Sequence, residues 1–246
     1  EVPHTVVVPQ NIFAQCSTLL RIKTMLVLIV MQIFAYFVLG VNTAFLPTYL
    51  QQKDTFGLSS GLAGLYSGGV IVLAGIAGTM AGGYMADLLN RRHPGSRVLV
   101  CGIGFLLGAP SFALAVTYHD LAVFTIFFVI TAFLLTMYTG PSTAASQDVV
   151  PSVLRASSAA IVLLFAHLLG DAFAPSLVGI VATSFDPTHG LHFKAGLAGQ
   201  DLSMALLITC VPALVIAGLV GIFGSRWMGA DIAAAERADR LARGTG

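Results

Sequence analysis

Six long apolar stretches, separated by short polar connections, set the pattern of this chain. They run roughly over 24–50, 61–86, 98–118, 121–148, 156–184 and 202–224. Each is about the length a helix needs to cross a hydrocarbon core ~30 Å thick. Turn chemistry marks the breaks at Gln51–Ser60, Asn90–Ser96, Tyr118–Asp120, Val149–Leu154 and Phe185–Asp201. The pattern predicts an all-α membrane protein whose six transmembrane helices form one bundle over 24–224. Residues 1–23 read as a cytoplasmic linker, with 11–23 either an interfacial helix or plain chain. Residues 225–246 read as a cytoplasmic tail. The stretch Glu1–Gln10 lacks the layout of a signal peptide, which leaves a longer parent chain open.

Composition strengthens this reading. The chain is 57% hydrophobic and 9% charged, where soluble domains carry about 25% charged residues. A net charge of +1 gives no footprint for nucleic acid. Cys16, Cys101 and Cys210 show no disulfide or metal spacing and read as small apolar packers. Arg21, Lys23, Arg91, Arg92, Arg97, Arg155, Arg226, Arg237, Arg240 and Arg243 fall on one side of the predicted bundle, and only Lys53 and Lys194 on the other. Basic residues concentrate on the cytoplasmic side, so both termini are expected there, in an inner or plasma membrane. The connection Phe185–Asp201 is then external. Its His189 and His192 are better read as members of a wet loop than as a metal site.

The polar residues that do not belong in hydrocarbon carry the functional reading, because ionisable groups inside a membrane are costly and face a cavity or a partner. His167 and Asp171 stand one helical turn apart, mid-span, on one face. Histidine changes charge near neutral pH, so the pair suits proton coupling or headgroup recognition, or else a mutually satisfied structural contact. Pro175 and Gly179 follow and are expected to loosen the helix just outside the pair. In the first span Gln32, Tyr36 and Thr43 share a face, with Phe34, Phe37 and Phe45 nearby. That is a set suited to an amphiphile's polar and apolar parts. Gly140-Pro141 admits a bend, and its neighbours Tyr138, Thr139, Ser142 and Thr143 can face a cavity. Arg155 is placed to pair with Asp148 across a short turn. The second span is dense in glycine, which suits a close and mobile helix contact. No nucleophile–base pair, metal cluster or phosphate loop is seen, so neither an enzyme nor a cofactor is expected.

Two tracts resemble known sequence. Gly83, Asp87, Arg91 and Arg92 resemble the cytoplasmic loop motif of the major facilitator superfamily, with Leu88 and Asn90 departing from it. Physically, Asp87 is placed to meet the N-terminus of a neighbouring helix and a nearby arginine, latching the cytoplasmic face; an ordinary interfacial acid is the competing reading. A tract of about forty residues then runs through Tyr138-Thr139-Gly140-Pro141, Val149-Val150-Pro151 to Leu154-Arg155-Ala156, and His167 to Gly170-Asp171, Pro175 and Gly179. It resembles the Spinster family of major facilitators. The resemblance implies the C-terminal six-helix half of a secondary transporter. That transporter would move lysophospholipid or sphingoid amphiphiles by alternating access, with proton coupling in some members, as a symporter or uniporter. An N-terminal six-helix half and the bilayer are the implied partners, with amphiphilic lipid and protons as cargo. A facilitator for another organic anion or drug, and a non-transporting receptor or scaffold, are the competing readings.

Overall fold

A computed structural model describes residues 12–52, 55–185 and 198–242. His189, His192, Lys194 and Lys53 lie outside the described residues. Among the described residues ten α-helices run in order: α1 (Ile12–Leu20), α2 (Lys23–Gln51), α3 (Ser60–Asn90), α4 (Ser96–Thr117), α5 (Leu121–Thr136), α6 (Thr139–Asp148), α7 (Arg155–Phe165), α8 (Ala174–Ser184), α9 (Ala198–Gly224) and α10 (Met228–Ala242). A π-helical segment, Ala166–Asp171, joins α7 to α8, and α5 passes into α6 through Met137-Tyr138. The described residues therefore hold six spans long and apolar enough to cross a membrane.

The spans alternate in direction, so their Arg-rich connections gather at one end. α2, α4 and α9 form the centre. In α4, 61% of the apolar window is buried, against 22% in α3, which stands at the edge. Met25, Leu28 and Met31 of α2, Phe105 and Phe112 of α4, and Leu206 and Leu214 of α9 are fully enclosed. The glycines of α3 divide by face. Gly78 and Gly82 press onto the backbone of α5 and Met137, whereas Gly61, Gly64, Gly68, Gly69 and Gly83 have nothing close beside them. Asp120 caps α5, accepting from Ala122 N and Val123 N at 2.9 and 3.0 Å.

Helices stand at both ends of the described residues. α1 is a helix whose Leu19 is buried and whose Gln15 accepts from Ser157 at 2.7 Å. α10 lies against the basic end through two carboxylates. Asp231 accepts from the amide and hydroxyl of Thr24, in the first turn of α2, at 2.9 and 2.6 Å. Asp239 accepts from the amide of Ser152 at 3.0 Å and from its hydroxyl at 3.1 Å, where the fifth span begins. Each aspartate thus meets amides that a helix start leaves without an internal partner.

Candidate functional site: a polar cavity and two charged clusters

α2, α6 and α7 line an open cavity of about 130 Å³. Gln32 and Tyr36 of α2, Tyr138 at the α5–α6 break, and Thr139, Ser142, Thr143 and Ser146 of α6 supply its polar wall. Ala159, Val162 and Leu163 of α7 make the opposite wall apolar. Gln32 is buried and donates to the Ser142 hydroxyl at 3.4 Å. Thr139 meets the Thr79 hydroxyl of α3 at 2.9 Å. The break at Met137-Tyr138 puts Pro141 in the first turn of α6, where its missing N–H costs nothing. Gln32, Tyr36, Tyr138 and Thr139 are therefore brought together.

Thr43 is not among them. It shares the α2 stripe but is exposed, and donates to the carbonyl of Leu39 at 2.9 Å. Phe34 and Phe37 also point elsewhere, into an apolar groove of about 270 Å³ against α8 and α9. At 100° per residue they stand on the far side of α2 from Gln32 and Tyr36, so the polar and aromatic levels do not share one cavity.

His167 and Asp171 do meet, Nδ1 to Oδ2, at 2.8 Å. The helix irregularity begins on the pair itself and continues through the turn at Ala172-Phe173, so the loosening expected just outside the pair, beside Pro175, starts one turn earlier. Ala172 N reaches back to the carbonyl of His167 at 3.1 Å, and Pro175 only opens α8. The cause is close approach to α2. A Cβ on Gly170 would lie 2.6 Å from the carbonyl oxygen of Ile33, and one on Gly40 would lie 2.7 Å from the Cβ of Asp171. Such single π turns recur at functional positions. The ring of Tyr36 stands edge-on to His167, centroids 4.8 Å apart, and links the pair to the cavity wall. His167 itself is 59% exposed on the flank of the bundle.

The second charged cluster lies at the basic end. Arg97, in the first turn of α4, bridges Asp87 of α3 at 3.2 Å and Asp148 of α6 by its other terminal nitrogen. Asp148 thus pairs with Arg97, not with Arg155, which is exposed. Arg97, in the first turn of α4, takes the place on Asp148 that the short turn offered to Arg155. Arg91 and Arg92 are exposed as well, leaving Arg97 as the arginine that holds Asp87. The Arg97 side chain is 19% exposed, Asp148 33% and Asp87 72%. Ion pairs weaken with solvent access, so Asp148→Asn is expected to disturb this end more than Asp87→Asn. Thermal melting of the two variants checks it: a melting temperature lowered more by Asp87→Asn would reverse the ranking.

The Major Facilitator Superfamily profile matches residues 4–175. Among curated proteins, the chain is 24% identical over 199 residues to protein spinster homolog 1 of Xenopus laevis, covering 76% of this chain and 36% of that one. It is 26% identical over 212 residues to protein spinster homolog 3 of Danio rerio, covering 81% and 42%. An MFS-type efflux pump of Mycolicibacterium smegmatis is 29% identical over 178 residues, covering 72% and 39%. The chain thus spans under half the length of these relatives. Among solved structures, a bacterial homolog of the human lysosomal transporter Spinster, inward-facing and unoccupied, superposes with a TM-score of 0.66 at 21% identity, over 92% of this chain and 50% of that one. A proton:xylose symporter superposes with a TM-score of 0.61 at 14% identity, over 93% and 54%. The profile covers well over half of the chain and the superpositions span half of whole transporters, so this chain belongs to the Major Facilitator Superfamily, and its six spans are one half of that fold.

Proposed function

We propose that the chain is the C-terminal half of a Spinster-like secondary transporter that moves lysophospholipid or sphingoid amphiphiles by alternating access. The observation that carries this reading is the cavity between α2, α6 and α7, polar on one wall and apolar on the other. Sites that enclose a small molecule measure about 300–1,000 Å³. A volume of about 130 Å³ is one wall of such a site, and a second six-helix half completes it, as transporter sites lie between repeats. Gln32, Tyr36, Tyr138 and Thr139 hold the headgroup, while Val162 and Leu163 meet the chain. The His167–Asp171 pair, touching Tyr36, carries the proton. The proton-coupled symport named for the xylose transporter supports coupling as a mode open to this fold.

The breaks at Met137-Tyr138 and Ala172-Phe173, flanked by Gly140-Pro141 and by Pro175, are the positions at which spans bend between states. Asp87, Asp148 and Arg97 close the cytoplasmic end in one state, with Arg91, Arg92 and Arg155 at the membrane surface. Both termini are cytoplasmic. Cysteine labelling is expected to mark position 92 from inside and position 194 from outside, and marking of both from one side ends this topology. The function is tested in proteoliposomes holding the whole transporter, with fluorescent lysophosphatidylcholine against a small organic anion. Uptake of the lysolipid and not the anion is expected, and the 246 residues alone are expected to give only the leak rate. Uptake of the anion alone moves the substrate class, and uptake of nothing favours a scaffold.

A further inference from the structure

The one tryptophan of the 246-residue chain, Trp227, is half-buried just beyond α9 and has two cations against its ring. The ammonium of Lys23 lies 6.0 Å from the ring centroid, and the guanidinium carbon of Arg226 lies 4.5 Å from it. Lys23 opens α2, and Arg226 follows α9 by two residues. An indole face favours a cation but supplies no counter-charge for it. Among the described residues no carboxylate forms an ion pair with either cation. The nearby acid, Asp231, is engaged with Thr24. Arg21, exposed in the turn before α2, adds a third positive charge to this corner.

The corner stands where two apolar spans end, the level at which a bilayer's headgroups lie. From it an apolar stripe runs along α9. Phe223, Leu219, Ile216, Pro212 and Ile208 share one exposed face, following the 3- and 4-residue spacing of a helix. The last three line the groove of about 270 Å³ between α2, α8 and α9. From Ile208 to Phe223 the stripe rises about 22 Å, the reach of an extended acyl chain. The groove shares no lining residue with the polar cavity.

We infer that this corner binds one anionic phospholipid, its phosphate between Lys23 and Arg226 and an acyl chain laid along the α9 stripe into the groove. The inference does not depend on what the polar cavity carries. The two cations supply the counter-charge the phosphate needs, the indole sits at headgroup depth, and the groove takes the tail.

Trp227 is also the reporter. The chain is placed in nanodiscs of phosphatidylcholine containing a small fraction of phosphatidylglycerol with brominated acyl chains, or of brominated phosphatidylcholine at the same fraction. Indole emission is quenched by bromine only at close range. Quenching is expected to show a preference of roughly tenfold for the anionic lipid, lost in Lys23→Gln/Arg226→Gln and kept in Arg237→Gln. Lys23→Arg/Arg226→Lys, which preserves both charges, is expected to retain it. Equal quenching by the two lipids, or a preference that survives Lys23→Gln/Arg226→Gln, overturns the inference. Inorganic phosphate is added at matched ionic strength to discs lacking phosphatidylglycerol. If it reproduces the emission change of the anionic lipid, the site takes a free anion and the lipid is ruled out. Both substituted side chains are exposed. If the double variant fails to reconstitute, Lys23→Gln and Arg226→Gln are read singly by the same criteria.

Discussion

Asp171→Asn is expected to lower transport by roughly tenfold or more and to alter its pH dependence, while the protein still folds. The carboxylate bonds His167 at 2.8 Å, and that contact rides on the Tyr36 ring at the edge of the polar cavity. A hydrogen bond to a charged partner is worth about 1.5–3 kcal/mol, enough for a factor of ten in rate if it is made in one state of the cycle and not the other. Asparagine keeps the size and the hydrogen-bonding reach of aspartate but cannot share a proton with the imidazole. A pair that only braces the fold predicts a different result: a lower melting temperature, with the pH profile of the surviving protein intact. Initial rates from pH 5 to 8, measured beside melting curves, separate the two. Parent rates with the parent profile would sink the proton role.

Gly170→Val is expected to be the most damaging packing change in the fifth span. A Cβ at this position lies 2.6 Å from the carbonyl oxygen of Ile33, 3.0 Å from the Cβ of Tyr36 and 3.2 Å from the amide of Phe37. Two of these neighbours are backbone and cannot rotate away, so the π segment must lift from α2. Overpacking of this kind costs about 1–3 kcal/mol. The same displacement carries His167 off Tyr36, so transport is expected to fall along with stability. Gly179→Val serves as the matched control, because nothing lies within 4 Å of a Cβ placed there. Similar melting temperatures for the two variants would show that the α2 contact is loose in the bilayer.

The six spans were legible because hydropathy over twenty residues is a strong and local signal. The pairing of Gln32 and Tyr36 with Tyr138 and Thr139 was legible only as two separate polar sets. What joined them is the packing of α6 against α2, which no local pattern encodes. Asp87 was found through its neighbours in sequence, yet its partner is Arg97, ten residues on and across a turn. Sequence distance alone favours Arg155 as the partner of Asp148, and the bundle geometry gives that aspartate to Arg97 instead. The π turn at His167–Asp171 depends on two glycines in different helices, Gly40 and Gly170. The heptad-like placing of Met228, Ile232 and Ala235 could have announced α10 as a packed helix, since Met228 and Ala235 are buried.

The helix α10 has a further property as a ruler. Asp231 and Asp239 hold the starts of the first and fifth spans, and eight residue steps in a helix fix their separation along the axis at about 12 Å. A helix neither stretches nor shortens, so those two span starts move as one body for as long as both carboxylates stay bonded. The freedom of the bundle is thereby pushed away from the basic end, into the middle of the spans. There the breaks at Met137-Tyr138 and Ala172-Phe173 leave the chain able to bend.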